Sequence, residues 1–143
     1  MNELLEIVGL DVSFPSQQGT TYAVRDVSIN VKPVEVLGVV GESGAGKSTI
    51  GNAVINLLEP PGKITNGKVL FQGENISSLD DKEMRNIRGQ KIGMIFQDPL
   101  TSLNPLMTIG AQLLETITKT TKLAGNAAFK KAIELLEAVG IEQ

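Results

Sequence analysis

Eight residues constrain this chain more than any others: Gly41-Glu42-Ser43-Gly44-Ala45-Gly46-Lys47-Ser48. They follow "VEVLGVV", residues 34–40, in which Val36, Leu37, Val39 and Val40 leave no polar face. A strand covered on both sides, as in a parallel sheet, has this composition. Behind the loop, Ile50, Ala53, Val54, Leu57 and Leu58 recur at the three- and four-residue spacing of a helix. Pro60, Pro61 and Gly62 are its expected stop. The spacing G-x-x-x-x-G-K-[ST] between a strand and a helix suits a phosphate chain. Glycines let the backbone turn its N–H groups inward and approach an anion closely. The start of the helix adds the positive end of its dipole. Lys47 is expected to reach the β- and γ-phosphates, Ser48 to offer its hydroxyl to Mg²⁺, and Thr49 to make a second phosphate contact. A plain flexible linker is the alternative, and the buried strand and apolar helix on either side weigh against it.

Composition removes other chemistries. The 143 residues suffice for one domain with a core, and 41% apolar with 20% charged residues fits a globular protein. The net charge of −3 gives no electrostatic footprint for nucleic acid. No cysteine excludes disulfides, thiol nucleophiles and thiolate zinc sites. No histidine excludes a serine–histidine–acid hydrolase and removes the usual general base. A metal would therefore sit on oxygen ligands, with Mg²⁺ held mainly by phosphate. The start, Met1-Asn2-Glu3, does not read as a secretory signal, and the most apolar run, Val36 to Val40, is far too short to cross a bilayer.

The rest reads as α/β with an antiparallel appendage. Leu5, Ile7, Val12 and Phe14 suggest a strand broken near Gly9. "PSQQGT" is a turn, and Val27, Ile29 and Val31 alternate with polar residues in a second strand that Pro33 ends. The pair is expected to be antiparallel. Lys68 to Phe71 is a short strand closed by Gln72-Gly73. Asp80 and Glu83 form a capping box for a short helix with Met84 and Ile87 inward and Gly89 as its cap. Arg85 and Arg88 on that helix read as solvated charges. Ile92 to Phe96 is another apolar strand, ending at Gln97-Asp98-Pro99. Helices follow from Ile109 to Leu123, and from an Asn126 cap to a Gly140 stop with Phe129, Ile133, Leu136 and Val139 on one face.

A GTPase would carry N-K-x-D, and a nucleoside kinase an arginine-bearing lid; neither is found. Three stretches, "VSFPSQQGTTYAVRDVSINV", "LGVVGESGAGKST" and above all "IRGQKIGMIFQDPLTSLNPLMTIG", with "AIELLEAVGI" at the end, resemble the ATP-binding subunits of ABC transporters. Within these the resemblance is to the importers of dipeptides and oligopeptides, a group with nickel-type relatives. It covers essentially the whole chain and implies the P-loop NTPase fold of an ABC ATPase, in part. That part is the antiparallel subdomain, a portion of the parallel core and the start of the helical subdomain. It further implies that ATP and Mg²⁺ bind at Gly41, Glu42, Ser43, Gly44, Ala45, Gly46, Lys47, Ser48 and Thr49. Gln97 resembles the glutamine that touches Mg²⁺ and the attacking water, so Ser48 and Gln97 are the implied metal contacts. Phe14 resembles the ring that stacks on adenine, with Tyr22 the alternative. Asp98 to Leu106 is implied to lie near transmembrane permease subunits, and a second ATP-binding subunit completes the assembly. The place implied is cytoplasmic, on the inner face of the membrane. Val34 departs from the family pattern, standing where glycine is usual, so its turn is expected to be strained or of another type.

Such subunits also carry an L-S-G-G-Q signature, an acidic pair after a buried strand, and a switch histidine; this sequence has none of them. Residues 1–143 are therefore read as the N-terminal portion of one ATP-binding domain. The isolated chain is expected to bind Mg·ATP weakly, to hydrolyse it negligibly and to expose apolar strand faces that favour self-association. The competing readings are a nucleotide-binding regulatory or structural module without ATPase activity, and an ABC ATPase of DNA repair. The second fits poorly with the negative charge and the "QDPLTSLNP" loop.

Overall fold

A computed structural model describes residues 3–98 and 102–141. It divides into two units, one within Met1–Ile92 and one within Gly93–Gln143.

The first unit is built on an antiparallel hairpin. Strands β1 (Leu5–Ser16) and β2 (Gly19–Val31) pair from Leu5 opposite Val31 to Ser16 opposite Gly19. The break expected near Gly9 is an irregularity in register rather than a strand end. Gly9 has φ +55°, its N–H donates to Ser28 Oγ at 2.9 Å, and the Asp26 N–H donates to Asp11 Oδ1 at 2.7 Å. Side chains thus take up donors that the irregular ladder leaves over. Strand β3 (Lys63–Phe71) joins the other edge of β1, and the two-residue β4 (Glu74–Asn75) closes the order β2-β1-β3-β4. β3 begins five residues earlier than its apolar run suggested. Gly67, at φ +81°, carries the strand past Gly9, whose carbonyl a Cβ at 67 would strike. Gln72 (φ +52°) and Gly73 (φ +84°) make the positive-φ pair that a tight hairpin requires.

Helix α1 (Lys47–Val54) follows the glycine loop and buries Ala53 and Val54. It stops before Leu57 and Leu58, short of the prolines that were expected to end it. Asn56 takes φ +51°; its N–H donates to Ala53 O at 3.1 Å, and that of Leu57 to Asn52 O at 2.8 Å. These are the two bonds of a Schellman motif, with asparagine in the place usually held by glycine. Helix α2 (Asp81–Met84) begins with the expected capping box. Glu83 N–H donates to Asp80 Oδ1 at 2.8 Å, and Asp80 N–H to Glu83 Oε2 at 2.9 Å. Ile7, Leu10, Val12, Val24, Val69, Ile76, Met84 and Ile87 are buried in this unit.

Two expected strands are not formed. Residues 36–40 and 93–96 carry no strand assignment, and Ile92 makes only an isolated bridge to Arg88. Val36 is 97% exposed, Val40 93% and Ile95 99%. A strand without a polar face depends on neighbours at both edges and on cover over both faces, and the described residues supply neither. Much of the apolar surface of each segment is therefore in water.

In the second unit, α3 (Ile109–Thr120) is capped by Thr108, whose Oγ1 accepts from Ala111 N–H at 3.2 Å. It ends three residues before the expected Leu123. Helix α4 (Gly125–Ala138) is preceded by Ala124 without a side-chain cap, so Asn126 lies inside the first turn rather than capping it. The buried face is Ala128 and Ala132, packed with Ile117, Leu113 and Leu114. Phe129 and Val139 are exposed, against expectation, while Ile133 and Leu136 are half-buried. Small residues allow the two helices to approach closely, and that displaced the contact stripe from the larger side chains. Gly140, at φ +80°, ends α4 as expected.

Candidate functional site: the loop 41–48 and helix α1

The loop enters α1 through Gly46, at φ +84° in the N-cap position, with no side chain capping the helix. A Cβ at Gly46 would collide with the carbonyl oxygen of Ala23 in β2, so the helix start is seated directly on the hairpin backbone. Gly44, also left-handed at φ +82°, makes the preceding bend. The Ala45 N–H donates to Glu42 O at 3.2 Å, and the Ile50 N–H to Gly46 O at 2.9 Å. The N–H groups of Lys47, Ser48 and Thr49, between those two bonds, have no backbone acceptor among the described residues. They are the free donors of a helix N-terminus. No acidic residue stands in the first turn to compete for them.

Lys47 curls back over the loop. Its Nζ donates to Gly41 O at 2.7 Å and to Glu42 O at 2.6 Å. Two carbonyls thus fix the ammonium against the start of the loop. The same short segment carries both a positive charge and free donors, which is the chemistry of an anion site. Ser48 is exposed at the second helical position and Thr49 is half-buried at the third.

Behind the loop an apolar cavity of about 300 Å³ is lined by Leu5, Ile7, Ile29, Val31, Leu37 and Val39, with Lys47, Ile50, Gly51 and Val54 from α1. The side of α1 away from solvent therefore faces hydrocarbon, with the Lys47 side chain at one border of the cavity.

The other sequence-predicted residues lie apart in the chain. Phe14, near the end of β1, is half-buried, and its ring edge occupies the space a Cβ on Gly62 would need. Tyr22 on β2 is exposed, with the Arg25 guanidinium 4.3 Å from its ring centroid. Gln97 is an exposed residue of the second unit. Asp98 O accepts from Ser102 Oγ at 3.2 Å. Pro99, Leu100 and Thr101, within the segment assigned to the permease contact, lie outside the described residues. Farther along, Gln112 clasps the loop before α3: its Oε1 accepts from Asn104 N–H at 2.9 Å, and its Nε2 donates to Asn104 O and Met107 O. Leu103 and Leu106 are exposed on that held loop. Among the described residues no group of three or more acidic side chains could hold a metal ion.

The reading of Arg88 as a solvated charge is corrected. Its side chain is 18% exposed, and Nε donates to Ile55 O and Nη2 to Asn56 O, each at 2.7 Å, while Nη1 donates to Asp81 Oδ1 at 2.7 Å. Arg85, by contrast, is the exposed residue expected, paired with Asp81 Oδ2 at 2.8 Å. The two guanidiniums hold the Asp81 carboxyl below the usual carboxylate range, Arg88 through its hydrogen bond first. Arg88 lies past the end of α2 rather than on it, and sequence spacing could not reveal its role, because its acceptors are the carbonyls of another element.

A glycine loop seated on a hairpin opens into a helix whose first amides lack backbone acceptors among the described residues, with a lysine folded over it. The chain belongs to the ABC transporter family, whose model matches residues 24–143. It is 46% identical over 142 residues to the oligopeptide transport ATP-binding protein OppD of Bacillus subtilis, and 44% identical to the dipeptide transport ATP-binding protein DppD of the same organism. Those alignments take in 99% of this chain but 40% and 42% of the relatives. The chain thus spans about two fifths of the length of the curated relatives it matches. Among solved structures, the dimeric bacterial ABC transporter cassette MJ0796 is 28% identical at a TM-score of 0.84, covering 97% of this chain and 58% of that one. The same cassette is also known in a post-hydrolysis state bound to ADP and Pi, again at a TM-score of 0.84. The fold is therefore a partial ABC ATPase fold. Among the described residues no helix is long and apolar enough to cross a membrane.

Proposed function

We propose that residues 41–49 hold the triphosphate of ATP, and that residues 1–143 form the N-terminal portion of one ATP-binding domain in an ABC importer of dipeptides or oligopeptides. The observation that carries this is the pairing of Lys47, fixed on Gly41 O and Glu42 O, with the acceptor-free amides of Lys47, Ser48 and Thr49. An entering phosphate gives those amides their acceptor, and the ammonium exchanges neutral carbonyls for anionic oxygens, a stronger hydrogen bond. The residues fit the group: three amides lack backbone acceptors, open space surrounds Gly44, and the first turn carries no carboxylate.

Mg²⁺, when bound, screens the charge between phosphates. Ser48 is assigned as the hydroxyl that would touch it and Gln97, from the resemblance alone, as an amide contact; phosphate oxygens and water would supply the other ligands. Phe14 is assigned to the adenine, with Tyr22 the alternative. Asp98 to Leu106 is assigned to the permease contact, and the exposed Leu103 and Leu106 on the loop clasped by Gln112 suit such a surface. The assembly would comprise transmembrane permease subunits and a second ATP-binding subunit, with this chain peripheral on the cytoplasmic face. Turnover is assigned to none of the residues named here. Hydrolysis needs a base to activate water, and this sequence holds no histidine and no acidic pair following an apolar strand.

Titration calorimetry of the chain with ATP and Mg²⁺ tests this. Binding is expected, weakened in Lys47→Ala by about 1.5–3 kcal/mol, the range for a hydrogen bond to a charged group, with no measurable phosphate release from either protein. Equal affinity in the two proteins would remove the site.

A further inference from the structure

Helix α1 is only eight residues long. A helix of that length does not hold itself in water, so its ends must be fixed by what surrounds them. Its N-terminal end is the loop; its C-terminal end is the Schellman turn at Asn56. That turn covers the carbonyls of Asn52 and Ala53, and Arg88 takes two of those beyond them, Ile55 O and Asn56 O. The third arm of the same guanidinium holds Asp81, and the second oxygen of Asp81 is held by Arg85. Asp81 is itself anchored, as the first residue of a helix that starts on a capping box and buries Met84. The rigid fork of Arg88 thus bolts the negative end of α1 to a fixed element about 12 Å from the amides at its positive end. A rod this short carries displacement at one end to the other.

We propose that Arg88 is a positioning residue for the phosphate loop, setting the seat of α1 from its far end so that the amides of Lys47, Ser48 and Thr49 keep their aim. This rests on the reading of the loop as a triphosphate site. Arg88 touches no phosphate and acts only through α1. Lysine is no substitute, because a single ammonium cannot reach two carbonyls and a carboxylate in the geometry of a planar fork.

The 143-residue chain with Arg88→Gln and with Arg88→Lys, beside Lys47→Ala, provides the test. ATP affinity is read by calorimetry. Amide hydrogen exchange, without nucleotide, is read in α1 and in β1 and β2. The expected result is a roughly tenfold loss of ATP affinity in both Arg88 variants, about that of one charge-assisted hydrogen bond. Exchange should be faster in α1, and that of Ile7, Val12 and Val24 unchanged, which certifies the sheet. A purely structural role would lower the melting temperature and leave the affinity of the folded protein alone, and that result overturns the proposal. If Lys47→Ala abolishes binding while both Arg88 variants bind normally, only Arg88 is dismissed. If the unaltered chain binds no ATP, the loop reading falls and this inference with it. Should Arg88→Gln fail to fold, Arg88→Lys decides between the same outcomes.

Discussion

Val34 shows what a single dihedral costs. It sits at φ +64°, third residue of a turn in which the Glu35 N–H donates to Lys32 O at 3.2 Å and Pro33 precedes it. This is a type II turn, whose third position favours glycine. The expectation of strain at Val34 is met, and the side chain is fully exposed, so burial returns nothing. A left-handed β-branched residue costs about 1–2 kcal/mol, and glycine gives back part of that through its freer unfolded chain. Val34→Gly is expected to raise stability by about 1 kcal/mol, read as a higher urea midpoint at unchanged slope. Residue-scale features of this sort were legible in the sequence wherever the cause was local: Gly44, Gly46 and the Asp80–Glu83 box all behave as their types dictate. Arg88 and Asn56 were not legible. One bonds to carbonyls more than thirty positions upstream, and the other ends a helix that hydrophobic spacing continued to Leu58.

At the scale of elements, α2 ties the loop helix down and is itself governed by charge. Arg88 and then Arg85 lower the Asp81 pKa. A carboxyl whose folded value lies below its unfolded one adds stability that is complete above the ordinary carboxylate range. That stability is lost as pH falls through the lowered value. In unfolding series from roughly pH 5 down to roughly pH 2, the unaltered chain should lose stability more steeply than Asp81→Asn, and the difference should vanish at the acid end. Parallel curves would mean that the two arginines do not act on Asp81. Elements built from local pattern, β1, β2, α2 and the stop of α4, were readable in advance. The α3–α4 contact was not, because alanines rather than large side chains make it. Nor was the unpaired state of residues 36–40 and 93–96, since apolar composition reports a demand for cover and not its supply.

For the molecule as a whole, that unmet demand is the dominant property. Val36, Val40 and Ile95 are almost wholly in water, and an open apolar cavity adjoins the first of these segments. Hydrophobic transfer of such surface favours any cover available, including another copy of the chain. Sedimentation velocity at micromolar concentration is expected to show association that rises with concentration. Val36→Thr with Val40→Thr should reduce it without lowering the stability of the four-stranded sheet. A monodisperse monomer across that range would contradict the account. The family assignment was legible from the loop and from "FQDPLTSLNP" together, because both are strings whose chemistry lies in their order.

The seating of Gly46 on the carbonyl of Ala23 has a practical corollary for anyone dissecting the loop. A methyl group placed there would wedge the helix off its strand before any ligand arrived. A dead alanine mutant at that position would therefore measure eviction rather than lost recognition. Lys47, whose ammonium can be cut away without pushing on anything, is the cleaner place to ask what the cradle holds.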